Sequence, residues 1–216
     1  MSTASAIGSE PPTNASLGNP IAVERIYEIN ERCIAALVAF AKKPPHRRPV
    51  DSLATQVRDL LISLDSAARR RAAECRFSLV DVAFSHNAWW HSVRQHPIRP
   101  TSGGLRPDCF PRRTAISLAH SALALAWHIA SIDLGAARLS FGLTSGCASV
   151  ISSLSLKDLE TIAHRHFQNA RPRWENRPTL WRALLTAARA GDANALKAFR
   201  LHGIQMILGS AVETDP

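Results

Sequence analysis

Between Pro97 and Pro111 the chain carries Pro97, Pro100, Gly103, Gly104, Pro107 and Pro111. Proline has no backbone N–H and a fixed φ, so no helix or central strand runs through 97–113. Apolar residues recur at helical spacing on both sides of this break. The expected organisation is a disordered tail at 1–19, a helical N-terminal region at 20–96, a Pro/Gly/Arg-rich linker at 97–113 and a helical domain at 114–212. The fold class expected is all-α, a multi-helix bundle. With 46% apolar residues in 216, the chain can fill a sizeable core.

The first helix opens at Pro20, with Ile21, Val23, Ile26, Ile29, Ile34, Leu37 and Val38 near helical spacing, and ends before the prolines of 42–49. Asp51 or Ser52 can cap a second helix whose stripe is Leu53, Val57, Leu60, Leu61 and Leu64. Asp65 or Ser66 can cap a third. Residues 77–84 (FSLVDVAF) read as either a buried strand or a helical turn. Helix is preferred, because no second strand lies nearby to pair with them. Residues 87–93 hold Trp89 and Trp90; a core role for both is preferred, with an interface role for one as the alternative.

Residues 114–133 give the clearest helix, followed by short helices at 134–141 and 145–154. Gly142 is placed to end the first of these in a left-handed cap. Ser155 and Asp158 have capping-box spacing for the next helix. After a loop at 168–176, Pro178 opens another helix at its first turn, ending near Gly191. Asp192 or Asn194 caps the last.

The 26 basic and 17 acidic residues give +9, with 22 of the basic residues arginine. Such an excess suits an acidic partner: nucleic acid, RNA polymerase or a membrane surface. The most apolar stretch, 116–132, contains His120, His128 and three serines, so it reads as a core helix, and no membrane association is expected. The N-terminus has no secretory pattern. Cys33, Cys75, Cys109 and Cys147 form no Cys-x-x-Cys pair, which argues against a zinc finger and fits a cytoplasmic protein with reduced thiols.

The histidines lack the i, i+4 spacing that puts two imidazoles on one helix face. His120 and His128 lie about two turns apart, with Ala124 midway where a bridging ligand would have to sit. No metal or cofactor is expected. No nucleophile elbow, phosphate loop or dinucleotide fingerprint occurs, so no catalytic residues are assigned.

The cluster that stands out is 165–182, RHFQNARPRWENRPTLWR. Arg165, Arg171, Arg173, Arg177 and Arg182 face one acid, Glu175, with Trp174 and Trp181 interleaved. A helix, an Arg-rich loop and a Pro-initiated helix can offer guanidinium groups and helix-start amides to phosphates. Equally, the arginines can pair with carboxylates while the tryptophans anchor the loop to a core.

Residues 123–174 resemble, without a gap, the D subunit (FlhD) of the bacterial flagellar master transcriptional regulator. The matching positions are Leu123, Leu125, Ala126, Asp133, Ala137, Gly142 followed by Leu143, the segment SSLSLKDLETIA at 152–163, and Arg173 followed by aromatic Trp174. Ser140 and Ala170 stand where that family has an arginine and a cysteine. The resemblance implies an all-α activator subunit that dimerises through N-terminal helices. It also implies assembly with a zinc-binding second subunit (FlhC), promoter binding and recruitment of RNA polymerase. The expected DNA-binding residues are Arg171, Arg173, Arg177, Thr179 and Arg182. The expected homodimer interface is Leu123, Leu125, Trp127 and Ile129. An alternative is a protein-interaction adaptor that keeps the helical fold without binding DNA.

Overall fold

The structure, a computed structural model, describes residues 20–44, 51–95 and 109–213, with side chains as far as Gly209. The tail expected at 1–19 and most of the linker expected at 97–113 lie outside these residues. The fold is all-α with a minimal sheet: eleven helices and two three-residue strands among the described residues.

The helices are α1 (Pro20–Ala41), α2 (Leu53–Gln56), α3 (Arg58–Ser63), α4 (Ser66–Ala73), α5 (Asn87–Gln95), α6 (Arg112–Ile132), α7 (Leu134–Phe141), α8 (Ser145–Ser152), α9 (Leu156–Arg165), α10 (Pro178–Ala190) and α11 (Ala193–Glu213). Most of their ends follow the sequence signals. Ser52 caps α2 through the Thr55 N–H, and Asp65 caps α4 through the Ala68 N–H. Gly142 ends α7 and Gly191 ends α10, both left-handed, at φ +63° and +70°. Ser155 and Asp158 complete a capping box on α9. The stripe 53–64, read as one helix, is two, because Val57 leaves helical geometry at φ −115°.

The long helix α6 is the hub. It packs against α1 on one side, α7, α8 and α9 on the other, and both strands. Its buried positions alternate Ala115, Ala119, Ala122, Ala126 and Ala130 with Leu118, Leu123 and Ile129. Small residues let neighbouring backbones approach on several sides. By length and composition α6 could cross a membrane; in this fold 44% of its most apolar stretch is buried against the rest of the chain.

Residues 77–84 are not helical. Val80–Val82 form strand β1, antiparallel to β2 (Ala170–Pro172), with Val80 opposite Pro172 and Val82 opposite Ala170. The partner lies inside the Arg-rich loop of the other half of the chain. A two-strand ladder this short is held by its surroundings. Asn30 of α1, fully buried, donates to the carbonyls of Ala73, Cys75 and Phe77 and accepts from the Leu79 N–H at 2.6 Å. One side chain thus satisfies the backbone of the irregular run into β1.

The two regions separated by the Pro/Gly break share one apolar core, from Ala22 to Ile207. Helix α10 returns to pack on α3 and α4, and Arg71 of α4 donates to the Ala188 carbonyl at 2.8 Å. The boundary read from the prolines therefore does not separate two cores.

Candidate functional site

The Arg-rich segment follows α9 as a 3-10 turn (Phe167–Asn169), then β2, then a turn at 173–177 into α10. The structure scatters its arginines among different roles. Arg173 is 8% exposed. Its Nε donates to the Ser78 carbonyl at 2.7 Å and its Nη2 to the Phe141 carbonyl. Burial pushes its pKa down, and the carboxylate of Asp81 acts in the opposite direction. Trp174, at φ +54°, turns the chain sharply, and the Trp181 indole donates to the Arg173 carbonyl at 2.8 Å. Arg173 is therefore a core strut joining β1, α7 and α10, and it does not face solvent as a phosphate contact would.

A Cβ added at Gly142 would lie 2.5 Å from Arg173 Nη1. Two positions that carry the resemblance, Gly142 and Arg173, are thus physically coupled: the glycine makes room for the guanidinium.

Arg171 pairs with Glu175 at 2.5 Å, and both side chains are largely covered. The thiol of Cys109 donates to the other oxygen of Glu175 at 2.9 Å, tying the start of α6 to this turn. Arg182 is exposed and reaches the Gln56 carbonyl, with Asp59 at 3.5 Å. An exposed pair of that length is worth at most about 1 kcal/mol and gives way readily to a stronger anion.

Arg177 and Thr179 are exposed at the first turn of α10. Arg177 occupies the N-cap position without a side-chain cap, and Pro178 is the first helical residue. Thr179 and Arg182 lie three apart on this helix and share a face. Of the five expected DNA contacts, the structure keeps Arg177, Thr179 and Arg182 together at the surface and assigns Arg171 and Arg173 to internal bonds.

Folding adds residues that the linear cluster did not include. Arg112 stacks over the Phe167 ring, 5.3 Å from its centroid. That puts the exposed Arg112 and Arg113 of α6 beside the exposed His164 and Arg165 that end α9. Among the described residues no carboxylate forms an ion pair with Arg112, Arg113, Arg165 or Arg177. Only the Arg112-Arg113 doublet before an apolar helix hinted at this, and nothing in the sequence linked it to 164–177.

The expected interface residues of α6 are mostly internal. Leu123 and Ile129 are buried in the chain's own core. Trp127 is half-buried, and its indole donates to the Leu154 carbonyl at 2.9 Å. Leu125 alone borders an opening, the groove between α1 and α6. Leu123 and Ile129 are thus taken up by this chain's own core, and Trp127 partly so. Trp90 is buried, and Trp89 is half-buried between Trp90 and His166, with ring centroids 4.8 and 5.5 Å away.

Cys33, Cys75 and Cys147 are buried and Cys109 is partly exposed. Desolvation pushes the Cys33 thiol far up and the Cys75 thiol up to about 12, so neither is a thiolate at neutral pH. Among the described residues no group of three His, Cys, Asp or Glu could hold a metal ion.

The class defined by fold is therefore an all-α, single-core bundle centred on one long helix. No protein-family model, no curated protein and no solved structure matches the chain.

Proposed function

We propose that this protein is a DNA-binding transcriptional regulator, an activator subunit similar to FlhD. It would act as an oligomer, with a homodimer, a zinc-binding FlhC-like subunit and RNA polymerase as its partners. The observation that carries the reading is a group of exposed arginines with no carboxylate partner among the described residues: Arg177 at the start of α10, and Arg112, Arg113 and Arg165 around the 3-10 turn. Each can neutralise a phosphate, and the exposed Thr179 hydroxyl suits a backbone oxygen. The coupling of Gly142 to Arg173 also supports the resemblance, since it gives the shared residues a common physical task.

The test is binding of labelled duplex DNA, read by fluorescence anisotropy across a salt series. Each phosphate contact removed should lower the slope of log K against log salt by roughly 0.9. Arg177→Ala and Arg165→Ala should each do so, whereas Arg171→Ala, whose guanidinium already serves Glu175, should leave the slope unchanged. Equal behaviour of all three variants would sink the assignment.

A second reading, the protein-interaction adaptor, is favoured by the internal roles of Arg171 and Arg173, which remove two of the five expected contacts. It predicts a partner whose capture survives nuclease treatment and the absence of DNA.

A further inference from the structure

Helices α1 and α6 are in contact but do not close along their whole length. Arg32 of α1 donates to the hydroxyls of Ser117 and Ser121 on α6. From there the opening extends back toward Ile21 on α1 and forward to His128 on α6, so the two helices run antiparallel and part at this end. The opening holds about 540 Å³.

Small side chains cause the gap. Ala22 and Ile29 on α1, with Ala124 and Leu125 on α6, form the floor. At Ala22 and Ala124 the side chains are too short to meet across it. Ile21 stands at the lip, 70% exposed. The rim is polar, with Arg25, Glu28 and Arg32 on one side and His120 and His128 on the other, both histidines exposed.

The residues that line the groove include two guanidiniums and one carboxylate, while Glu24 and Glu31 of α1 lie outside the lining. Glu28 is engaged by Arg25 at 2.8 Å. Arg32 is held by two neutral hydroxyls. Helix α6 contains no Asp or Glu at all. The groove therefore presents an apolar floor beneath two imidazoles and a guanidinium with no ion-pair partner among the described residues, and its lining offers an acidic ligand more than a basic one.

Its dimensions select among acidic ligands. His120 and His128 are eight residues apart, about 12 Å along α6 at 1.5 Å per residue. A furrow of that length between two helices accepts one face of a third, with apolar anchors at i, i+3, i+4 and i+7. A second copy of this chain, with a net charge of +9, brings no excess of carboxylates to such a lining.

We infer that the α1–α6 groove docks an acidic amphipathic helix of a partner protein, its apolar face on Ala22, Ile29, Ala124 and Leu125 and its carboxylates toward Arg32, His120 and His128. The surface is distinct from the arginines around α10, and the inference holds whether or not those arginines take DNA.

The probe is a fluorescein-labelled helical peptide with leucines at i, i+3, i+4 and i+7 and glutamates flanking them, titrated by anisotropy against the full chain. Wild type should bind it at least tenfold tighter than a scrambled peptide of the same composition. Arg32→Glu with His128→Glu, both exposed positions, should lose at least tenfold and gain affinity for the same peptide carrying lysines in place of glutamates. Ala124→Phe, which fills the floor without changing charge, should weaken both peptides. The salt dependence of duplex DNA binding should not change in any groove variant. No preference for the acidic over the scrambled peptide would overturn the inference. So would concentration-dependent self-association abolished by Ala124→Phe, which would make the occupant a second copy. Tight binding of dodecyl phosphate with no peptide binding would also overturn it, marking a site for small amphipathic anions.

Discussion

Arg173 is a guanidinium spent on the inside of the protein. Its guanidinium bonds two carbonyls from distant segments, Ser78 and Phe141, and its own carbonyl receives the Trp181 indole. Replacing it with Met leaves both carbonyls buried without a donor. The expected loss is about 3 kcal/mol of unfolding free energy in a urea titration, by the cost of unsatisfied buried groups. Arg171→Ala, losing one partly covered ion pair, should cost about 1 kcal/mol. Gly142→Ala should exceed Gly191→Ala. Both incur the left-handed penalty of about 1–2 kcal/mol, but only the Cβ at 142 meets the guanidinium, while nothing lies within 4 Å at 191. At this scale the sequence was legible for glycine and cap positions, whose reasons are local. It was ambiguous for arginine, because a guanidinium reads alike whether it will be buried or exposed.

At the scale of elements, signals confined to one turn survived folding and those needing a distant partner did not. The capping box of α9 was readable from Ser155 and Asp158 alone. Its side-chain and backbone hydrogen bonds with Ser155 hold the Asp158 carboxyl below its ordinary value. A carboxylate with a lowered folded pKa adds stability above its unfolded pKa, and that stability is lost as pH falls through the folded pKa. Asp158→Asn should therefore remove a part of α9's protection in amide exchange that the wild type holds above the ordinary carboxylate pKa of about 4 and loses below it, leaving the other helices as they were. Strand β1 was not legible, because its partner Ala170–Pro172 lies in the other half of the chain, within a segment that looks like a loop. The same distance hid the group of arginines. Arg112 joins Arg165 and Arg177 through the Phe167 ring and the Cys109–Glu175 bond, and neither contact has a local signature.

As a whole molecule, the protein is one core built from both sides of a proline-rich break. The hub helix α6 was readable from composition, while the interleaving of α10 with α3 and α4 was not. An Ellman titration of the native chain should accordingly find Cys109 reactive first, with Cys33, Cys75 and Cys147 protected until global unfolding. Reaction of all four at one rate would mean that the core opens far more readily than this packing implies. The central claim, that the surface arginines rather than the buried one meet phosphates, is tested most directly by the salt dependence of duplex DNA binding for a triple variant, Arg112→Ala/Arg165→Ala/Arg177→Ala. The account predicts a slope reduced by roughly 2.7, about 0.9 for each of three lost contacts, in a protein that still melts cooperatively. A slope equal to that of the wild type would contradict it.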